Sequence, residues 1–375
     1  MSDIPQIAIP TDLLPADGRF GSGPSKVPPE ALTGLAATGT DYMGTSHRKP
    51  VVKNMVARMQ DGMRTFFSLP DDWEVIIGNG GSTLLWYALT FCLIDERSQH
   101  ATFGEFGSKF AKAATAAPHI GDPMVIDAPV GTRPELVADD SIDVYAFPHT
   151  ETSTGVMMPV QRPTGATGLV AVDATSGGGG LRWHPADCDV YYLGPQKCFG
   201  SDGGLFIALA SPAAVERIER LVASDRWIPA GLDLGIALDN SRKNQTYNTP
   251  ALATIFLTTH NVETMNANGG LDWAAGRSDA SAAHLYGWAD AHALVAPFAA
   301  NPSDRSSVVA TLNIDDSIDA NTIAAVLRQN GIVDTESYRK LGLNQLRIAM
   351  FPLVEPDDIV ALTGCLDYVI GALAS

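Results

Sequence analysis

Residues 168–197 read GLVAVDATSGGGGLRWHPADCDVYYLGPQK, and this stretch decides the fold of the 375-residue chain. It contains two largely apolar runs, 168–172 and 189–193, and polar residues follow each of them. Runs of this kind, without polar alternation, are typical of strands that a parallel sheet buries on both faces. Ligands of such sheets bind beyond the carboxyl ends of the strands. We therefore expect Asp173 and Lys197 to reach a common point from neighbouring strand ends.

The rest of the chain repeats this alternation of strands and helices. Four further apolar runs lie at 74–77, 99–103, 142–147 and 205–209. Helical patterns stand between some of them, at 51–67, 84–92 and 212–223. The alternation predicts an α/β fold whose large domain has a mostly parallel sheet, of the seven-stranded type, flanked by helices.

The pattern changes after about residue 260. Helix and strand patterns then follow at 279–294, 307–314, 321–329, 346–350 and 357–374. They predict a smaller C-terminal α+β domain. We therefore divide the chain into an N-terminal arm (1–18), a large domain (19–260) and a small C-terminal domain (261–375).

Composition limits the partners and the compartment. The net charge of −17 disfavours nucleic acid and anionic membranes as partners, and no run of eighteen uncharged apolar residues predicts a membrane span. Residues 1–15 do not resemble a signal peptide. The cysteines show no metal-ligand or redox spacing, so we expect no metal site and buried thiols in a reducing, cytoplasmic compartment. They are Cys92, Cys188, Cys198 and Cys365.

Polar residues at the other strand ends suit a ring that carries a phosphate. The glycine-rich turn 78–83 precedes a helix, where free N–H groups and the hydroxyls of Ser82 and Thr83 could bind a phosphate. An ordinary strand-to-helix turn with Ser82 as its N-cap is the alternative. Phe106 follows a strand and could stack on a ring, although a phenylalanine beside a turn also suits a core.

Asp173 and Lys197 suit the chemistry of a pyridine aldehyde. A carboxylate at the end of an apolar strand can keep a pyridine nitrogen protonated, although Asp173 could instead cap the following turn. A lysine in apolar surroundings tends to lose its proton, as Schiff-base chemistry requires. The alternative for Lys197 is an ordinary surface loop.

With these residues in place, the chain resembles the phosphoserine aminotransferases, a branch of the fold-type-I pyridoxal-phosphate enzymes. The resemblance runs from residue 22 to residue 347. The matching pieces are Ser22-Gly23-Pro24, Ser46-His47-Arg48, Asn79-Gly80-Gly81-Ser82-Thr83, Glu151-Thr152, Asp173, Gly194-Pro195-Gln196-Lys197 and Tyr247-Asn248-Thr249-Pro250.

The resemblance implies a role for each cofactor residue. Lys197 would carry pyridoxal phosphate as a Schiff base and shuttle a proton, and Asp173 would pair with the pyridinium nitrogen. Thr152 would bond the phenolic oxygen, and Phe106 would stack on the ring. The phosphate would be held by Ser82, Thr83 and Gln196, and from the second subunit by Asn248 and Thr249. An obligate homodimer with a shared active site follows.

The resemblance also implies the reaction. Family members transfer an amino group between glutamate and 3-phosphohydroxypyruvate, giving O-phosphoserine and 2-oxoglutarate in serine biosynthesis. Arg347 would bind the substrate α-carboxylate bidentately. The other substrate-binding candidates are Ser22, His47, Arg48 and Arg339. The chain departs from the family pattern at Tyr338-Arg339, where members carry His-Arg, and at Gln345-Leu346, where they carry Gly-Met.

Two other interpretations stay open from the sequence. A related fold-type-I enzyme, of the alanine–glyoxylate or serine–pyruvate aminotransferase type, would keep the cofactor residues and lack the preference for a phosphate. A Rossmann-like binding module or oxidoreductase would use 78–83 as a dinucleotide turn, but the glycines lack the G-x-G-x-x-G spacing.

Overall fold

The computed structural model describes residues 4–374. Within that range the chain forms twelve strands: β1 (Glu74–Asn79), β2 (Ser98–Thr102), β3 (Met124–Asp127), β4 (Val144–Pro148), β5 (Thr150–Glu151), β6 (Val156–Met157), β7 (Leu169–Asp173), β8 (Val190–Leu193), β9 (Leu205–Ala210), β10 (Val295–Pro297), β11 (Val309–Ile314) and β12 (Gln345–Ala349). The α-helices of the same range are α1 (Pro29–Ala37), α2 (Pro50–Phe66), α3 (Gly81–Cys92), α4 (Glu105–Thr115), α5 (Pro212–Val222), α6 (Leu234–Ser241), α7 (Leu252–Ala267), α8 (Gly270–Ala291), α9 (Ala320–Gln329) and α10 (Pro356–Leu373).

The large sheet has seven strands in the order β1-β9-β8-β7-β4-β2-β3. Strands β8, β7, β4, β2 and β3 are parallel, and β9 is antiparallel to both of its neighbours. Six of the seven strands therefore run in one direction, so the prediction of a mostly parallel sheet of this size is confirmed.

Helices cover both faces of the large sheet, which explains why most of its strands are largely apolar, although β2 buries the polar residues Gln99 and His100. One face packs on α2 and α7, and the other packs on α3, α4, α5 and α6. Consecutive residues of β8 show this division, because Tyr191 points to the first face and Tyr192 points to the second. Both tyrosines are buried.

The C-terminal part of the chain builds a second core on an antiparallel sheet, β10-β11-β12. Helices α9 and α10 pack on it, together with the C-terminal half of α8. The N-terminal arm lies on the same core, where Ile9 is buried and its N–H donates to Asn330 Oδ1 at 2.9 Å. Among the described residues, no helix combines the length and the apolar run that crossing a bilayer requires.

Helix α8 connects the two cores. Ala274, near its start, packs with the large-sheet core, whereas Leu285, further along, packs with the small one. The helix begins nine residues earlier than the predicted 279 and ends at 291. The predicted domain limit at 260/261 falls inside α7, which packs on α2. The division 1–18, 19–260 and 261–375 stays a prediction.

Candidate active site

A cavity of about 380 Å³ lies beyond the carboxyl ends of the parallel strands. The position of this cavity and its burial match those of the usual ligand site of open α/β sheets. Seven of the nine residues predicted to hold a cofactor line it: Ser82, Thr83, Phe106, Thr152, Asp173, Gln196 and Lys197. The fold thus brings together residues that the chain spreads over more than a hundred positions.

Lys197 is a buried amine with a depressed pKa. Only 8% of the residue is exposed, and Nζ donates a hydrogen bond to the main-chain oxygen of Ser22. Burial lowers the pKa of Lys197 to about 8, and the positive charge of Arg347 acts in the same direction. At pH 7 about one molecule in ten therefore carries the neutral, nucleophilic amine.

Gly23 makes room for this amine. A Cβ on Gly23 would lie 1.9 Å from Lys197 Nζ, far inside van der Waals contact. Its φ of +151° is also a conformation that side chains rarely adopt. The Ser22-Gly23-Pro24 segment therefore determines where the lysine side chain ends.

Asp173 ends β7 as a buried carboxylate with three hydrogen bonds. Its Oδ1 accepts from the Thr175 N–H at 2.9 Å and from Thr175 Oγ1 at 2.5 Å. Its Oδ2 accepts from the indole Nε1 of Trp86 at 3.0 Å. Burial nevertheless raises the pKa of Asp173, and residues 4–374 provide no ion-paired cation for the ionised carboxylate. A cationic ligand atom in the cavity would supply it.

The glycine-rich turn opens the N-terminus of α3 towards the cavity. Gly80 and Gly81 have φ values of +106° and +72°, which only glycine adopts without strain. No side chain caps the helix, because its N-cap is Gly80, so the alternative with Ser82 as N-cap is wrong. The hydroxyl of Ser82 is instead hydrogen-bonded to the hydroxyl of Thr175 at 2.7 Å. The uncapped N–H groups can bind an anion.

The other cavity residues are also oriented by the protein. The hydroxyls of Thr152 and Ser176 share a hydrogen bond. The side-chain oxygen of Gln196 is buried and has no protein partner. The N–H of Phe106 donates at 3.0 Å to Glu151, a buried carboxylate that holds the start of α4.

Arg347 of β12 has donors that the protein does not use. Its Nη1 donates to the main-chain oxygen of Thr152 at 3.2 Å, whereas its buried Nε has no partner. The acidic side chain that acts on its pKa, Glu151, accepts instead from the N–H groups of Phe106 and Gly107. Burial lowers the pKa of Arg347. A carboxylate placed against the Nε edge would satisfy this guanidinium.

Seven predicted residues do not line the cavity of their own chain, and two of these, Ser22 and Arg347, contact residues that do. The other five lie further away. Arg48 donates to the main-chain oxygen of Tyr247 at 3.4 Å, and Asn79 Nδ2 donates to Asn248 Oδ1 at 2.6 Å. The segments 46–48 and 247–249 are therefore neighbours at the surface. In the same region His47 is buried with its Nε2 unpartnered, and burial together with Arg48 lowers its pKa. Thr249 lies beside Asn248 in the same surface segment. Arg339 is exposed at another part of the surface, at the start of a short 3-10 helix.

Trp86 is a cavity residue that the sequence did not predict, and it bonds Asp173. Thr175 bonds the same carboxylate, so Asp173 caps the following turn, as the alternative for this residue predicted, and also faces the cavity. Trp86 stands four positions after Ser82 in α3, and residues four apart share a helix face. The spacing from Ser82 could therefore have identified Trp86 as a cavity residue. Thr175 follows Asp173 by two positions, which is the usual distance for a turn hydroxyl.

No family model matches the chain. It is 56% identical over 370 residues to the phosphoserine aminotransferase of Nocardioides sp., and the alignment covers 98% of this chain and 99% of that one. The chain belongs to the phosphoserine aminotransferase family.

Solved structures of aminotransferases share the fold of this phosphoserine aminotransferase family member. A phosphoserine aminotransferase from Cytophaga hutchinsonii matches with a TM-score of 0.86 at 21% identity, covering 94% of this chain and 99% of that one. A pyridoxamine–pyruvate aminotransferase from Mesorhizobium loti matches with a TM-score of 0.83 at 22% identity, covering 98% and 95%. These likenesses show the fold, which is that of the fold-type-I pyridoxal-phosphate enzymes.

Proposed function

We propose that the chain transfers an amino group between glutamate and 3-phosphohydroxypyruvate, giving O-phosphoserine and 2-oxoglutarate, with pyridoxal phosphate as its cofactor. The single observation that carries the proposal is the meeting of a depressed-pKa lysine and a buried carboxylate in one cavity. The high identity to a phosphoserine aminotransferase supports the choice of substrates.

The cavity fits this cofactor on its own chemistry. It offers a partly neutral amine at Lys197, an ionisable carboxylate without a cation at Asp173, and uncapped helix N–H groups at the start of α3. These groups complement an aldehyde, a pyridine nitrogen and a phosphate, respectively.

When bound, pyridoxal phosphate supplies an aldehyde that takes up amino groups and a ring that withdraws electrons. Lys197 would bind the aldehyde carbon through Nζ, and its free amine would move a proton between the substrate Cα and that carbon of the cofactor. Asp173 would hold a proton on the ring nitrogen. Ser82, Thr83 and Gln196 would hold the phosphate.

For the substrate, Arg347 would bind the α-carboxylate through its unused Nε edge, which allows two parallel hydrogen bonds. The hydroxyl of Ser22 is buried without a partner beside Lys197 and would serve as a further donor. The distal phosphate of phosphohydroxypyruvate, or the γ-carboxylate of glutamate, would meet His47, Arg48 and Arg339.

We further propose a homodimer with a shared active site. The surface formed by 46–48 and 247–249 carries Arg48, which has no acidic partner in the described part of the chain, and it does not reach the cavity of its own subunit. Against a second subunit, it would place Asn248 and Thr249 at the phosphate and His47 and Arg48 at the substrate. We place the enzyme in the cytoplasm, in keeping with four free, buried thiols.

The reaction is tested with purified protein, pyridoxal phosphate, glutamate and phosphohydroxypyruvate. Formation of phosphoserine at a rate far above that of serine from hydroxypyruvate supports the proposal. A preference for the unphosphorylated substrate, or for alanine with glyoxylate, would assign the chain to the alanine–glyoxylate or serine–pyruvate type instead. The Lys197→Ala variant is the inactive control.

The shared site is tested by mixing two inactive variants, Lys197→Ala and Arg48→Ala. A random mixture should recover about a quarter of the wild-type sites, because half of the dimers are hybrids with one intact site each. The matched control mixes Lys197→Ala with Asp173→Asn, which should recover nothing, since both changes lie in the same cavity. Recovery in neither mixture would contradict a shared site.

A further inference from the structure

The ring of Tyr338 lies between two residues of the active site. Its centroid is 5.4 Å from Cζ of Arg347, which lies over the ring, and 6.0 Å from the centroid of Phe106, with the two rings inclined by 57°. Distances of this size are within the range of cation–π and aromatic pair interactions. Tyr338 thus contacts the carboxylate-binding candidate on one side and the ring-stacking candidate on the other.

The segment around Tyr338 is anchored to the large domain. Lys340, two residues further along, forms an ion pair with Glu105, the first residue of α4. Phe106 is the next residue of that helix, and its N–H is held by Glu151. The segment 338–340, which precedes β12, therefore crosses from the small domain to the start of α4.

Few other contacts fix the plane of the Arg347 guanidinium. Its one hydrogen bond in the described structure runs from Nη1 to the main-chain oxygen of Thr152, at 3.2 Å, which is long for a charged donor. Its Nε is buried without a partner. An arginine side chain has many rotamers, so a single hydrogen bond leaves the guanidinium free to rotate. The Tyr338 ring supplies the missing restraint by covering one face.

We propose that Tyr338 is a positioning residue that holds the Arg347 guanidinium against its ring, so that the Nε edge faces the α-carboxylate of the substrate. This inference rests on the proposed function, in which Arg347 binds that carboxylate. Tyr338 acts through the face of its ring rather than through its hydroxyl. It therefore sets the affinity for 2-oxo and amino acids, whatever their distal group, and leaves cofactor binding unchanged.

The test compares two substitutions in the cofactor-loaded enzyme, Tyr338→Leu and Tyr338→Phe. Leucine removes the π face, and we expect KM for glutamate and Kd for 2-oxoglutarate to rise about tenfold, with a smaller change in kcat. Phenylalanine retains the face and should rescue both constants. The pyridoxal phosphate absorbance spectrum and its Kd, measured by titration, should be the same in all three proteins.

A matched control is Trp273→Leu, which removes another cation–π pair, with Arg277 at 4.9 Å, away from the cavity. It should leave KM and Kd unchanged. Equal losses in Tyr338→Phe and Tyr338→Leu would overturn the inference, since the hydroxyl would then be the active group. Wild-type affinity in Tyr338→Leu would overturn it as well, while leaving the proposed function intact. An inactive wild-type enzyme would instead refute the proposed function, and the inference with it.

Discussion

The indole Nε1 of Trp86 donates a hydrogen bond to Oδ2 of Asp173 at 3.0 Å. This bond and the two hydrogen bonds from Thr175 stabilise the ionised form of Asp173. They act against burial, which raises the pKa of this carboxyl group. The proposed role of Asp173 at the ring nitrogen requires the carboxylate in its ionised form, so the indole would contribute to cofactor binding without contacting the substrate.

Trp86→Phe should weaken pyridoxal phosphate binding. A hydrogen bond to a charged group contributes about 1.5–3 kcal/mol, so Kd should rise roughly tenfold or more. This Kd is measured by titrating the cofactor-free protein with pyridoxal phosphate and following the absorbance. Trp183→Phe is the matched control, because the Trp183 Nε1 has no hydrogen-bond partner, and it should bind like the wild type. An unchanged Kd in Trp86→Phe would show that the indole does not support Asp173.

Gly23→Ala should prevent attachment of the cofactor to Lys197. The added Cβ would lie 1.9 Å from Nζ, so the lysine would have to leave its present position. Borohydride reduction followed by intact-mass measurement reports the attached fraction, which we expect to fall to a minor one. Gly231→Ala is the control, since nothing lies within 4 Å of its Cβ position. Full labelling of Gly23→Ala would mean that the lysine has another route to the aldehyde.

Lys197→Met should stabilise the cofactor-free protein in a pH-dependent manner. The folded pKa of about 8 lies below the usual 10.5, so between these values the unfolded wild-type chain binds more protons than the folded one. Wild-type stability therefore rises with pH through that window. The cost of burying the charged amine, about 3 kcal/mol by this difference, is fully present below pH 8 and is lost towards pH 10.5.

Denaturant unfolding of the two cofactor-free proteins at pH 7 and at pH 10.5 checks this prediction. The methionine variant should be more stable at pH 7, and the difference should shrink at pH 10.5. Titrating groups that do not interact with Lys197 cancel in the comparison because both proteins share them. A difference that is independent of pH would mean that Lys197 has an ordinary pKa in the fold.

Much of the fold and the centre of the site were predictable from local patterns. Strands buried on both faces must be apolar, so β7 and β8 could be read directly, and the polar residues at their ends had to meet at one edge. The antiparallel direction of β9 had only an indirect signal. Residues 194–204 connect β8 to β9 without a helix, and a parallel crossover usually contains one.

The residues that the sequence did not place depend on contacts between distant segments. No short sequence pattern indicates that Tyr338 contacts Phe106 and Arg347. These contacts form only because segment 338–340 packs on the start of α4. In the proposed homodimer, the roles of His47 and Arg48 would depend on a second subunit, which a single-chain pattern does not encode. The edge strand β3 was not predicted because it has only four residues. Its side chains alternate between partly buried and exposed, so it lacks the continuous apolar run that identifies the central strands.

Arg347→Lys should weaken both half-reactions. An ammonium is a point charge and cannot replace a planar fork that makes two parallel hydrogen bonds to a carboxylate. We expect kcat/KM for glutamate and for phosphohydroxypyruvate to fall by roughly tenfold or more each. Single-turnover measurements of each half-reaction separate the two. A loss confined to the phosphorylated substrate would instead place Arg347 at the distal phosphate.

The central claim is that the amine of Lys197 binds the aldehyde of pyridoxal phosphate, and borohydride reduction with peptide mapping tests it most directly. The protein is loaded with the cofactor, reduced, digested and analysed by mass spectrometry. We predict one labelled peptide, with the added mass on Lys197. Label on another lysine, or no label at all, would contradict the account.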